Sequence, residues 1–193
     1  KYGMQVQALL KKASALDIRV ICPLHGPILS ENLDFYLGKY QTWSSYEPED
    51  KGILIAYASI HGNTGKAAEK LAELLRAKGA EKVVVSDLAR EDMAEVIEDA
   101  FRYDRMVLAA ATYDAGVFPC MDSFLARLKS KNFQKRTVGL IENGSWAPMA
   151  GKVMKDSLSQ MKEITVLEPV VTIKSTLNEA SAEQLELLAD ALV

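Results

Sequence analysis

Three short stretches of this 193-residue chain combine hydroxyls, small residues and an aromatic ring in a way that suits ligand binding. The first, Ser59-Ile60-His61-Gly62-Asn63-Thr64, lies between an apolar run and the start of a helical pattern. Hydroxyls, a glycine and free backbone N–H groups at a helix N-terminus make a site for a phosphate dianion. The following Gly65-Lys66 invites comparison with a P-loop. It fails, because Gly62 and Gly65 are too close together and Ala67 stands where a Mg²⁺-binding Ser or Thr belongs. No GxGxxG follows the strand, which argues against a dinucleotide pyrophosphate. What remains fits a terminal monophosphate held by neutral donors, or a plain turn capped by Ser, Thr and Asn.

The second stretch is Thr112-Tyr113-Asp114-Ala115-Gly116-Val117-Phe118-Pro119. Gly116 permits a peptide conformation that other residues resist, and Tyr113 offers a flat face for an aromatic ring. Without a ligand, Tyr113 and Phe118 would be ordinary rim aromatics. The third is Glu142-Asn143-Gly144-Ser145-Trp146-Ala147-Pro148. Asn-Gly signals a tight turn, but a helix follows rather than a strand. A Trp on this polar loop suits ring stacking or an interface. Cys22 and Cys120 form no nucleophilic pair with either histidine, His25 or His61, so no catalytic residue emerges.

The elements that must position these loops alternate. Ile53–Ala58 is a continuous apolar run, the mark of a strand buried on both faces. A helix over Asn63–Lys78 follows, closed by Gly79. Then come a strand at 82–86, a helix near 92–101, a strand at 105–111 and a helix near 121–130. A strand at 137–141, a helix near 148–161, a strand at 164–173 and a helix near 182–192 complete the pattern. Five strands and five helices in βα alternation predict a parallel, doubly wound sheet. Its ligand belongs outside the carboxyl ends of the strands, which is where the three loops fall. Residues 1–46 differ, with helices expected over 4–16 and 32–46 and a strand-like run at 18–22. The charged Glu47-Pro48-Glu49-Asp50-Lys51 reads as a linker.

Composition narrows the classes. Net charge is −3, and the charge is unsegregated, which argues against a nucleic-acid partner. Two distant cysteines suit a reducing compartment. No apolar run reaches the roughly 18 residues of a membrane span, and the first residues lack a signal peptide's apolar core. The expectation is a cytoplasmic chain with no membrane partner. Starting without Met, it reads as a piece of something longer.

Together the three motifs resemble the FMN loops of flavodoxins. More narrowly, they resemble the flavodoxin domain of flavodiiron proteins (A-type flavoproteins, rubredoxin:oxygen oxidoreductase-like). In that family a metallo-β-lactamase-like diiron domain comes first, and Cys22-Pro23-Leu24-His25-Gly26-Pro27-Ile28 is similar to the segment bearing its last iron ligand. The resemblance implies a flavodoxin-like five-stranded parallel sheet of order 2-1-3-4-5, short-chain type. It divides the chain into a diiron-domain remnant (1–46), a linker (47–51) and an FMN domain (52–193). The phosphate loop would be Ser59, Ile60, His61, Gly62, Asn63 and Thr64, with His61 where many flavodoxins place Thr. Thr112, Tyr113, Asp114, Ala115 and Gly116 would line one side of the isoalloxazine, with the Ala115–Gly116 peptide near flavin N5. Glu142, Asn143, Gly144, Ser145, Trp146 and Ala147 would line the other.

Electrons would come from a reduced donor such as rubredoxin or a flavin reductase. They would pass to a diiron centre that reduces O2 to water or NO to N2O, in a head-to-tail homodimer. The HxExDH-type motif for most iron ligands is absent, so His25 is expected to bind metal only in a full-length parent. Two other readings remain open: a stand-alone flavodoxin carrier, and a flavodoxin-fold NAD(P)H:quinone reductase.

Overall fold

The amphipathic run near the amino end folds as α1 (Gly3–Ala13). It packs on α2 (Leu33–Ser44), in a computed structural model that describes residues 1–193. Gly3 is required by the close crossing, because a Cβ there would run into the Ser44 carbonyl. Gln7 ties the pair together, donating from Nε2 to Ser44 Oγ at 2.7 Å and accepting from Gln41 Nε2 at 3.0 Å. The strand-like run expected at 18–22 is reduced to a single bridge, Ile21 with Leu29. Residues Lys1–Glu49 make one compact unit and Asp50–Val193 another.

In the second unit the strand period of two decides the layers. β1 (Asp50–Ala58) sends Leu54, Ala56 and Ala58 to one face and Ile53 and Ile55 to the other, all fully buried. It starts at Asp50, so the strand takes in the end of the expected linker. Next come α3 (Asn63–Ala77), β2 (Val83–Asp87), α4 (Met93–Arg102), β3 (Tyr103–Tyr113), β4 (Gly116–Val117) and α5 (Pro119–Ser130). The chain continues through β5 (Gln134–Asn143), α6 (Ala150–Leu158), β6 (Lys162–Val166), β7 (Val171–Ile173) and α7 (Glu179–Leu192). Helices α4, α5 and α6 cover one face through Ile97, Phe124, Leu128 and Met154. Helices α3 and α7 cover the other through Leu71, Leu75, Leu185 and Leu188.

The sheet order is β2-β1-β3-β5-β6, the parallel 2-1-3-4-5 order of a doubly wound flavodoxin-like fold. Two details correct the expectation. The last parallel strand is not continuous over 164–173: β6 pairs with the first half of β5 (residues 134–138) and β7 with its end (residues 141–143). The break spans only 167–170, so no long insertion is present. Its physical cause is Pro169, which has no N–H to give a ladder. Second, β4 turns back antiparallel on β3, pairing Tyr113 with Gly116. No helix is long and apolar enough to cross a membrane.

Candidate functional site

The carboxyl ends of β1, β3, β5 and β7 meet around a cavity of about 280 Å³. Its first wall is the loop from β1 into α3. Gly62 is the N-cap in the left-handed region, φ +87°, with nothing within 4 Å of a built Cβ, so conformation rather than space demands glycine. Its N–H donates to Ser59 Oγ at 3.0 Å. The first helical bond runs from Lys66 N–H to the Gly62 carbonyl at 2.9 Å. The N–H groups of Asn63, Thr64 and Gly65 thus have no acceptor within the helix, and no side chain caps them. This end also carries the positive pole of the helix dipole.

Two neighbours set the height of that helix end. Gly65 lets α3 settle against Tyr57, where a Cβ would come 3.1 Å from the ring. Burial, and then the Asp87 carboxylate that hydrogen-bonds it, push the Tyr57 phenol above its ordinary value of 10.0, so it stays neutral. Thr64 is only 2% exposed, and the one hydrogen bond on its hydroxyl is accepted, from Asn143 Nδ2 at 3.3 Å.

The second loop is a two-residue hairpin between β3 and β4. Asp114 (φ +47°) and Ala115 (φ +55°) both lie in the left-handed region, as a type I′ turn requires. Gly116 sits in β4 outside the left-handed region; the positive-φ positions are the two before it. Tyr113 is half exposed and packs edge-on against Phe118, ring centres 5.8 Å apart.

The third loop leaves β5. Gly144 donates its N–H to the Ile173 carbonyl at 2.9 Å. A Cβ on Gly144 would sit 3.1 Å from Thr112 Oγ1 and 3.2 Å from Pro148 Cα. Trp146 is 89% exposed.

Of the residues singled out in the sequence, Ser59, Ile60, His61, Asn63 and Thr64 line the cavity from the first loop. Thr112 lines it from the second, and Asn143, Gly144, Ser145 and Trp146 from the third. Gly62, Tyr113, Asp114, Ala115, Gly116, Glu142 and Ala147 do not line it. Several polar side chains hold protein rather than face a ligand. Thr112 Oγ1 accepts from the Met149 and Ala150 N–H groups at 3.0 and 3.2 Å, capping α6. Glu142 accepts from Gly151 N–H at 2.8 Å and Thr172 Oγ1 at 3.0 Å. Asn143 holds Ser175, a lining residue on a fourth loop that the sequence reading passed over. Its signal was available: Ser175 follows the end of the last parallel strand, at the same sheet edge.

A larger hollow of about 1180 Å³ runs along α3, walled in good part by Lys66, Glu69, Lys70 and Glu73. Its other walls are Tyr57 and the β1–α3 loop, Asp87 to Arg90 after β2, and Leu177 to Ala182 at the start of α7, and it shares Ser59 and Ile60 with the smaller cavity, on which the loops after β1, β3, β5 and β7 converge. Burial raises the Cys120 thiol, at the start of α5, above its ordinary value, so it stays a protonated, weakly reactive group. His25 is exposed in the loop between Ile21 and Leu29 of the first unit. No three His, Cys, Asp or Glu side chains group so as to hold a metal ion.

Residues 54–187 match the family model described as a flavodoxin domain. The chain belongs to the flavodoxin-domain family. Its relatives extend the picture. The solved structure of rubredoxin oxygen:oxidoreductase from Desulfovibrio gigas superposes with a TM-score of 0.90 at 22% identity, covering 99% of this chain and 48% of that one. The flavodiiron protein of Giardia intestinalis gives 0.87 at 18%, over 99% and 47%. A diflavin flavoprotein of Synechocystis is 22% identical over 156 residues, 80% of this chain and 26% of its own. This flavodoxin-domain chain therefore spans about half the length of the solved flavodiiron structures, and less of its curated relatives. Free-standing flavodoxins match 73–74% of the chain, with TM-scores of 0.63.

Proposed function

We propose that the chain binds FMN in the 280 Å³ cavity and serves as the electron-transfer domain of a flavodiiron oxidoreductase. The observation that carries this is the convergence, on one cavity, of uncapped α3 N–H groups and a buried Thr64 hydroxyl whose proton no protein group accepts. These are donors matched to an oxyanion. The residues present fit FMN. Asn63, Thr64 and Gly65 N–H groups, with Ser59, would hold the phosphate. Trp146 and Tyr113, exposed on the loops that flank the cavity, would cover the ring. The cavity lies near the small end of ligand sites, which suits a flavin whose tail is enclosed and whose ring edge stays accessible. Bound FMN would supply one- and two-electron redox chemistry; the chain's part is to bind, orient and shield it.

In this reading residues 1–46 are the end of a metallo-β-lactamase-like domain, and His25 is an iron ligand only in the full-length protein. The likeness over the whole chain supports it, as do apolar residues exposed in the first unit, such as Leu24, Ile28 and Phe35. The parent would take electrons from a donor such as rubredoxin or a flavin reductase and reduce O2 or NO, as a head-to-tail homodimer. Reconstitution with each flavin tests the core of the reading: FMN is expected to bind more tightly than FAD, and the reverse would overturn it. Metal analysis of the chain should find FMN without stoichiometric iron. Stoichiometric iron with NO or O2 turnover would overturn the assignment of His25 to a larger site.

A further inference from the structure

Asn143 ends β5, and the resemblance to flavodoxins implies a place for it beside the flavin ring. In the structure its carboxamide is fully engaged elsewhere. Ser175 N–H donates to Oδ1 at 3.0 Å, and Nδ2 donates to the Ser175 carbonyl at 3.0 Å. A backbone N–H can only donate and a carbonyl can only accept, so these two bonds fix which end of the amide is oxygen and which nitrogen. The remaining Nδ2 hydrogen then faces Thr64 Oγ1 at 3.3 Å. An NH2 group can only donate, so Thr64 must accept there. Its own proton has no protein acceptor, and Thr64 lies in the cavity wall.

Ser175 is itself held in an unfavourable conformation. Its φ is +73°, and Thr176 N–H donates to the Lys174 carbonyl at 3.1 Å across it. That is the pattern of the classic γ-turn, a rare and strained form. The two peptide groups that grip Asn143 therefore belong to a turn that the carboxamide in its turn holds in place. The chain of bonds runs from the fourth loop through Asn143 to the hydroxyl beside the α3 N-terminus.

We infer that Asn143 is a positioning residue: it holds the Thr64 hydroxyl as a donor toward the flavin phosphate, and does not face the ring. The inference rests on the FMN reading. It makes a sharp separation between the two ends of the ligand. Loss of Asn143 acts on the phosphate, through Thr64, and leaves the recognition of the ring alone.

The test is a double-mutant cycle of Asn143→Ala and Thr64→Val, each protein titrated with FMN and with riboflavin, which lacks the phosphate. Each single substitution is expected to weaken FMN by about tenfold to a hundredfold, the loss of one hydrogen bond to a charged group. Riboflavin affinity should stay within about threefold. In the Thr64→Val background, Asn143→Ala should cost FMN affinity less than about threefold further, because residues acting through one another do not add. Full additivity, or parallel loss of riboflavin binding, would overturn the inference and make Asn143 a merely structural brace. If Asn143→Ala does not fold, Asn143→Asp keeps the acceptor for Ser175 N–H and goes through the same cycle with the same two outcomes. Failure of the unsubstituted chain to bind FMN would overturn this inference and the FMN reading together. Binding with an additive cycle would overturn the inference alone.

Discussion

The two ends of the sheet handle their polar groups in opposite ways. At the amino end, hydrogen-bonding groups satisfy one another within the protein. Arg136 is 3% exposed and donates to the carbonyls of Phe101, Tyr103, Gln134 and Lys135 at 2.5 to 3.1 Å, closing the end of α4 onto β5. Asp104 accepts from Gly52 N–H at 2.8 Å, and Arg102 pairs with Asp50 at 2.6 Å. At the carboxyl end, Asn143, Thr112 and Glu142 are likewise satisfied, but the layer they support is not. The first N–H groups of α3 have no side-chain cap, and no protein group accepts the proton of the buried Thr64 hydroxyl. The comparison teaches where to look for chemistry: where a well-braced structure leaves donors unmatched.

The largest effect that sharpens this comparison belongs to the closed end. Arg136→Met would take its donor from one buried and three partly buried carbonyls, and stability should fall by about 3 kcal/mol. Urea denaturation of the apoprotein measures it. A loss below about 1 kcal/mol would mean water reaches those carbonyls and the end is not closed. Next comes the open end, which gains its missing partner only from the ligand. FMN at a hundredfold excess over its dissociation constant should raise stability by about 2.7 kcal/mol. The same increment is expected in the Arg136→Met protein. A smaller increment there would show that the two ends are coupled.

Trp146 is 89% exposed, so Trp146→Ala should leave apoprotein stability within about 0.5 kcal/mol. FMN affinity should drop about twofold to tenfold, the worth of one aromatic stack. Unchanged affinity would remove Trp146 from the ring's surroundings.

The smallest effect lies at high pH. Burial raises Tyr57 at the open end and Tyr103 at the closed end above 10.0, so the folded state keeps protons that the unfolded state has released. Their stabilisation is complete below pH 10 and falls as pH rises through the folded-state values. Tyr57→Phe and Tyr103→Phe should each flatten that decline in alkaline unfolding curves. Flattening by Tyr57→Phe alone would tie the effect to the site rather than to burial.

The alternation of buried strands and amphipathic helices was legible because both periodicities are written in apolar residues. So was the sheet edge that carries the loops. The break in the last strand was not, because Leu167 and Val170 continue the apolar run and only Glu168 and Pro169 interrupt it. The strain at Asp114 and Ala115 escaped for a similar reason. Gly116 draws attention as the flexible residue, yet the two-residue hairpin puts its positive φ angles one and two positions earlier. Thr112, Glu142 and Asn143 show a deeper limit. A polar side chain at a strand end serves as a ligand or as a brace with the same residue types. Only the partner in space, such as α6 for Thr112 or Ser175 for Asn143, decides between them.

The interrupted last strand has a consequence for solubility as well as for pairing. β6 is the outer strand of the sheet, and an outer strand offers unpaired N–H and C=O groups to any other chain that passes. Here that template is only five residues long and opens with Lys162 and Glu163, both exposed. It stops where Glu168 and Pro169 offer a charge and a residue with no donor. Short length, charge and proline are the features by which natural sheets resist edge-to-edge growth into aggregates. The irregularity in the ladder is thus a guard on the rim of the sheet, placed on the strand where a continuous ladder would recruit a second molecule.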